Sequence, residues 1–133
     1  MDLQIGDKFS ISKQITDQVV RAFAELSGDY NPNHLDEEFA RTTRFGKRIA
    51  HGMICGALVS AVLGNEFKER KIVYLGQTLK FVAPVFIDDT ITATATVAHI
   101  REDKNIVTVE TVCTNQTGET VVTGEGKIMI LSA

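Results

Sequence analysis

The residues best suited to chemistry are Asp29 and His34, which flank a proline in Asp29-Tyr30-Asn31-Pro32-Asn33-His34. A carboxylate and an imidazole are the groups that most often move protons to and from water in enzymes. The residue before a proline avoids the helical backbone region, so neither a plain helix nor a strand is expected to pass through Asn31-Pro32. The spacing therefore predicts a rigid turn that directs both side chains towards one point.

A second segment, Phe45-Gly46-Lys47-Arg48-Ile49-Ala50-His51-Gly52-Met53, opens a long apolar run. Residues 52–64 have almost no polar face, so a helix there is expected to be buried on nearly all sides. Gly52 stands at its start, where backbone N–H groups lack partners and the helix dipole favours negative charge. Glycine also lets a ligand approach the backbone closely, so Gly52 is a candidate donor to a developing oxyanion.

The elements that must position these residues can be recognised from periodicity. Apolar residues recur at helical spacing across residues 17–26, which predicts an amphipathic helix with Thr16 as its N-cap and Gly28 at its end. The proline-containing turn follows directly. A short helix is expected over residues 36–41.

The remaining residues are predicted to form a sheet. Residues 5–15 form a lead-in strand, residues 71–85 are rich in strand-forming side chains, and residues 90–101 alternate apolar with polar positions. Two further strands are expected over residues 106–115 and 119–131. Most helices come first and most strands last, which indicates an α+β class with an antiparallel sheet wrapped around the apolar helix.

Composition excludes several classes of protein. The 133 residues are 44% hydrophobic and 23% charged with a net charge of −3, which fits one globular domain over residues 1–133. The sequence has no stripe of basic residues, which argues against nucleic acid as a partner. No signal peptide or membrane span is recognisable, so a cytoplasmic protein is expected. Cys55 and Cys113 lack metal-site spacing and are interpreted as buried core thiols.

Two groups of residues resemble a known family, the MaoC-like hydratases, and in particular their R-specific enoyl-CoA hydratase branch. The first signature is Phe23-Ala24-x-Leu26-Ser27-Gly28-Asp29-x-Asn31-Pro32-x-His34-x-Asp36, followed by Phe39-Ala40, Thr43-x-Phe45-Gly46 and Ile49-Ala50-His51-Gly52-Met53. The second is Gln77-x-Leu79-x-Phe81-x-x-Pro84-Val85 with Asp89-Thr90-Ile91. The resemblance covers almost the whole chain.

The resemblance implies a hot-dog fold, in which a curved antiparallel sheet surrounds one long buried helix. It implies a homodimer whose sheets join edge to edge, or a larger assembly of such dimers. The expected activity is reversible addition of water to trans-2-enoyl-CoA, giving (R)-3-hydroxyacyl-CoA, in fatty acid metabolism or polyhydroxyalkanoate supply. The resemblance implies no metal or redox cofactor, and the coenzyme A is carried by the substrate.

The resemblance also implies roles for individual residues. Asp29 is expected to be the main general base, His34 to orient the water and share proton transfer, and the Gly52 N–H to bind the thioester oxygen. Asn31, Met53 and Ser60 are expected near the substrate, although Asn31 also suits a turn and Ser60 could bond its own helix. We interpret His51 as a structural residue that binds the backbone.

Coenzyme A phosphates need positive charge, for which the candidates are Arg44, Lys47, Arg48, Lys68, Arg70 and Lys71. The chain departs from the family pattern at Asn33, where an aliphatic residue is more usual. It departs again at residues 65–71, which are charged and lack proline.

Two other functions remain open at this point. A hot-dog acyl-CoA thioesterase would direct the same water at the thioester carbonyl instead of the alkene. A non-catalytic acyl-CoA-binding subunit would have no need of the Asp29 and His34 pair.

Overall fold

The structure, a computed structural model, describes residues 2–131. A first strand and four helices precede five further strands, with these bounds: β1 Lys8–Gln14, α1 Asp17–Ser27, α2 Pro32–Leu35, α3 Glu37–Ala40, α4 Met53–Glu66, β2 Lys71–Gln77, β3 Lys80–Phe81, β4 Thr90–Arg101, β5 Ile106–Thr114 and β6 Thr120–Leu131. The predicted strand over residues 90–101 is confirmed without change, and those over residues 5–15, 106–115 and 119–131 agree to within a few residues. The strand-forming segment over residues 71–85 instead gives two shorter strands, β2 and β3.

The six strands form one antiparallel sheet in the order β1-β4-β5-β6-β2, and β3 also pairs with β6. Alternate residues of β4 are fully buried beneath α4, as the sequence alternation predicts: Ile91, Ala93, Ala95 and Val97. A curled antiparallel sheet packed around a central helix is the expected hot-dog fold. Its core lies between α4 and the inner face of the sheet.

Helix α4 is only partly covered by its own chain. Cys55, Val59 and Leu63 are buried against the sheet, but Met53, Ala57 and Ser60 on the opposite side are exposed. The expectation of burial on nearly all sides is therefore wrong for a single chain. The physical reason is that the sheet encloses one side of the helix and leaves the other side open.

Helix α1 ends just before the first candidate residue, Asp29. The Thr16 hydroxyl accepts from the Val19 N–H at 3.2 Å, and Gly28 adopts the left-handed conformation at φ 79°, with its N–H bonded to the Ala24 carbonyl. Both predicted caps are confirmed. Because Gly28 stops the helix in a fixed geometry, Asp29 leaves α1 in a defined direction.

The proline turn contains a short helix that the sequence did not predict. Helix α2 begins at Pro32, whose missing N–H and fixed φ suit the first helical position. The Asn31 side chain caps it by accepting from the Asn33 N–H at 3.1 Å. Regular structure thus stops before the proline, as expected. A helix begins at the proline, however, and His34 lies within that helix.

Candidate active site

His34 presents one free ring nitrogen. Its Nδ1–H donates to the Ile49 carbonyl at 2.7 Å, and since a carbonyl can only accept, Nε2 carries a lone pair in the neutral ring. Nε2 lies 4.0 Å from Oδ2 of Asp29, which is too far for a direct hydrogen bond. Two acceptors at that separation can each accept a hydrogen from one water molecule placed between them.

Asp29 is held by its backbone and by one of its two carboxylate oxygens. Its N–H donates to the Ser27 hydroxyl at 3.1 Å, and its Oδ1 accepts from the Asn31 N–H at 3.2 Å. Its carbonyl accepts from Nε2 of His51 at 3.0 Å. The side chain is 51% exposed, and its Oδ2 remains directed towards His34.

His51 lies beneath the pair. It is buried, and its ring stacks on that of His34 with 3.9 Å between centroids. Its hydrogen bond to the Asp29 carbonyl confirms the expectation that it binds the backbone. Among residues 2–131 its Nδ1 has no hydrogen-bond partner, so the ring contributes packing and one donor.

The surroundings favour the uncharged form of His34. Burial is the main effect and lowers the pKa of His34 below its usual range, with smaller contributions in the same direction from His51 and Arg48. The hydrogen bond to Ile49 and the charge of Asp29 act in the opposite direction. The net result is an imidazole that is uncharged at neutral pH and keeps an acceptor lone pair at Nε2.

A cavity of about 430 Å³ opens beside His34 and Gly52. Its other walls are mainly apolar and include Phe45, Ile49, Met53, Phe81, Val82 and Pro84. Gly52 is the N-cap of α4, and within residues 2–131 no acceptor is bonded to its N–H. A Cβ at this position would lie 2.7 Å from Cδ1 of Phe81, so any larger residue would force that ring to move.

The remaining predicted site residues are distributed unevenly. Met53 lines the cavity, whereas Asp29 stands at its edge through its proximity to His34. Asn31 caps α2, and Ser60 is exposed two turns along α4; neither lines the cavity. The roles of Asn31 and Ser60 in substrate binding stay predictions.

One candidate for phosphate binding is placed elsewhere. Arg48 is buried and binds the His34 carbonyl and Asp17, so the expectation that it contacts a phosphate is wrong. Sequence reasoning missed this inward role, and no local signal marks it because Asp17 is 31 residues away.

Two other candidates each lie over an aromatic ring, and one of them lines the cavity. Arg44 lines the cavity and stacks on Phe45 at 4.9 Å, and the Lys47 ammonium lies 4.2 Å from the Phe86 ring centre. Sequence reasoning assigned Phe81 only to the second signature, although it covers Gly52.

One group of side chains has metal-ligand potential. Asp29, His34 and His51 each offer one atom, and these atoms lie within 4.8 Å of one another. Zinc ligands lie about 2.0–2.2 Å from the ion. The Asp29 and His34 atoms, at 4.0 Å, are therefore farther apart than two ligands at the tetrahedral angle around such an ion. The spacing suits a water molecule better.

Comparison with known proteins places the chain in a family. Residues 3–121 match the sequence profile of the family described as MaoC like domain. The chain belongs to the MaoC-like family.

Two named relatives are similar to this chain over nearly its full length. The chain is 44% identical over 128 residues to the (R)-specific enoyl-CoA hydratase of Aeromonas caviae, covering 96% of each chain. It is 43% identical over 129 residues to the (R)-specific enoyl-CoA hydratase of Rhodospirillum rubrum, covering 97% of this chain and 89% of that one.

The fold is similar to that of a solved MaoC-like enzyme. The (R)-hydratase of A. caviae involved in PHA biosynthesis superimposes with a TM-score of 0.93 at 43% identity, covering 98% of both chains. None of the helices within residues 2–131 combines the length and apolar composition needed to cross a bilayer.

Proposed function

We propose that this protein is an R-specific enoyl-CoA hydratase, which reversibly adds water to trans-2-enoyl-CoA and gives (R)-3-hydroxyacyl-CoA. The observation that carries the proposal is the 4.0 Å separation of the Asp29 carboxylate and the free Nε2 of His34 beside an apolar cavity. The similarity to two (R)-specific enoyl-CoA hydratases supports it.

The acid–base step follows from the two acceptors. A water that donates one hydrogen to Oδ2 of Asp29 and the other to Nε2 of His34 directs an oxygen lone pair outwards, towards C3 of the enoyl group. As the C–O bond forms, one water proton passes to the pair, with Asp29 as the main base. A proton then returns from the pair to C2, so the residues regain their starting state and the reaction balances.

The charge on the thioester oxygen needs a donor. As water attacks C3, electron density moves through C2 to this oxygen. The Gly52 N–H, at the N-terminus of the 14-residue helix α4, is our proposed donor. One such donor typically lowers the barrier by about 3 kcal/mol. Hydration is redox-neutral, so the proposed mechanism calls for no cofactor beyond the coenzyme A of the substrate.

The apolar cavity is the proposed acyl site, with Met53 and Phe81 among its walls. Arg44, also on its wall, carries a charge suited to the coenzyme A phosphates outside. Asn31 and Ser60 remain proposed substrate neighbours. A single domain over residues 1–133 and a cytoplasmic location complete the proposal.

We also propose a homodimer, which leaves larger assemblies to experiment. The edge strand β2 exposes Val73 and Leu75, with 42% and 46% of their surface accessible, and the apolar helix α4 exposes Met53 and Ala57. Exposed apolar side chains on an unpaired edge favour pairing with a second strand. A Val73→Lys variant should be monomeric by light scattering, whereas Ser10→Lys on the opposite edge strand should remain dimeric. A monomeric wild-type protein would contradict the proposed dimer.

The activity is tested by following the ultraviolet absorbance of crotonyl-CoA and of longer enoyl-CoAs with purified protein. Loss of the enoyl absorbance without release of free thiol supports the hydratase. Thiol release without hydration would favour the thioesterase. Tight acyl-CoA binding with neither reaction would favour the non-catalytic subunit.

A further inference from the structure

Arg48 is a buried cation with two fixed partners. Its side chain is 8% exposed, and it lies between the first turn of α1 and the end of α2. Its Nε–H donates to the His34 carbonyl at 2.7 Å, and its Nη2 donates to Oδ1 of Asp17 at 2.5 Å. Both bonds involve charged groups, which makes them stronger than neutral hydrogen bonds.

The segment that contains Arg48 holds His34 at several points. The Arg48 side chain binds the carbonyl of His34, and the carbonyl of the next residue, Ile49, binds the ring at Nδ1. The Ile49 N–H in turn donates to the Asn33 carbonyl at 3.1 Å. Both the position of the His34 backbone and the rotation of its ring are thereby set from one short segment.

We propose that Arg48, anchored by Asp17, is a positioning residue for the acid–base pair: it fixes the backbone of His34 and places a positive charge behind the ring. This inference rests on the proposed function for its kinetic consequence. The effect on the ring itself is independent of any reaction.

The effect of the Arg48 charge on the protonation of His34 has a sign that can be measured. Asp29, His51 and Arg48 face His34, and Asp17 lies behind Arg48. The positive charge of Arg48 disfavours a second proton on His34. The negative charge of Asp17, which is paired with Arg48, should partly offset that effect. Removing Arg48 should therefore make His34 easier to protonate, whereas removing only the charge of Asp17 should make it harder.

A purely structural ion pair predicts something else. Loss of a buried partner would lower stability and reduce the active fraction, but it would scale the rate equally at all pH values. A displacement of the pH profile, in opposite directions for the two partners, is specific to electrostatic positioning.

The experiment compares Arg48→Gln, Arg48→Lys and Asp17→Asn with the control Arg21→Gln. Arg21 binds the same Asp17 carboxylate through an exposed contact at 2.9 Å, so its loss matches the loss of an ion pair without touching His34. Two quantities are measured: the NMR titration midpoint of the His34 imidazole in the free protein, and kcat/KM for crotonyl-CoA against pH.

For Arg48→Gln we expect the midpoint and the acid limb of kcat/KM to rise by about half a pH unit, with kcat roughly tenfold lower. Arg48→Lys keeps the charge but cannot bind both partners through one planar group, so kcat should fall while the midpoint stays near wild type. Asp17→Asn should lower the midpoint, and Arg21→Gln should change neither quantity.

An unchanged midpoint in folded Arg48→Gln, or equal effects from Arg21→Gln, would overturn the inference. If Arg48→Gln does not fold, the downward shift in Asp17→Asn, which has a half-exposed side chain, decides the question in the same way. If the variants shift the NMR midpoint as expected but the wild-type protein shows no hydratase activity, the positioning of His34 is upheld and the proposed function is refuted.

Discussion

Replacing Asp29 with asparagine changes one acceptor into a donor at almost constant shape. Oδ1 of Asp29 is bound to the Asn31 N–H, so an asparagine oxygen is expected to keep that position. The amide NH₂ then occupies the position of Oδ2 and points towards Nε2 of His34, 4.0 Å away. The water loses one acceptor, and the new donor competes with it for the lone pair of His34.

Because both acceptors of the water are affected, the loss of kcat should lie in the upper part of the range known for general acid–base catalysis. We expect kcat to fall by about 10³-fold or more, which corresponds to about 4 kcal/mol of barrier. KM should change little, since Asp29 does not line the cavity. The side chain is half exposed, so the free energy of unfolding should change by less than about 0.5 kcal/mol.

The assay is hydration of crotonyl-CoA, followed by its ultraviolet absorbance, together with urea unfolding. Asp36→Asn is the matched control, because it removes the same charge from the same region and keeps the N-cap of α3, where Asp36 accepts from the Phe39 N–H. That control should retain wild-type turnover. An Asp29→Asn enzyme with more than about a tenth of wild-type kcat would refute the reasoning.

Three further predictions concern the helix donor, the imidazole and the core thiols. Gly52→Ala keeps the N–H, but its methyl group would displace the Phe81 ring and obstruct the approach of the thioester oxygen, so kcat should fall by about 10²-fold. Gly64→Ala, with open space on the same helix, should keep activity and gain up to about 1 kcal/mol in stability; equal activities would contradict the Gly52 role. The pKa of His34 is lowered by folding, so the unfolded chain binds a proton first and the stability due to neutral His34 is lost as pH falls from about 6.5 through the folded value. Urea unfolding of wild type and His34→Gln checks this, and an identical pH dependence would refute it. Cys55 and Cys113 are free and buried, so neither should react with a thiol reagent until the protein unfolds; rapid labelling of the native protein would contradict that burial.

The features that depend on local chemistry could be predicted from the sequence. Thr16 and Gly28 define the ends of α1 because capping involves only neighbouring residues. The alternation in β4 identifies its buried face for the same reason. Asp29 and His34 were found because a proline motif keeps them close in both sequence and space.

The features that depend on distant contacts could not be predicted. Arg48 is charged and stands beside Lys47, which suggests a solvated position, yet it is buried by a partner 31 residues away. His51 was expected to bind the backbone, but its partner, the Asp29 carbonyl, lies 22 residues away and could not be identified from the sequence. The exposed side of α4 was also missed, because an apolar sequence does not reveal whether its own chain or another surface covers it.

The exposed side of α4 forms part of the cavity wall through Met53. Met53 and Phe81 line the cavity and are each about half exposed, at 54% and 50%. A second copy paired along β2 would reduce the exposure of such apolar groups. The shape of the acyl site therefore depends on the proposed dimer, whereas the Asp29 and His34 pair is complete within one chain.

Asp29 and His34 are proposed to add water to C3 of an enoyl thioester from only one face of its double bond. The most direct test combines the protein with crotonyl-CoA and supplies the product to a 3-hydroxyacyl-CoA dehydrogenase specific for either the R or the S alcohol. We expect reduction of the nicotinamide cofactor with the R-specific dehydrogenase alone. Reduction with the S-specific enzyme, or no hydration of an enoyl-CoA of any chain length, would contradict it.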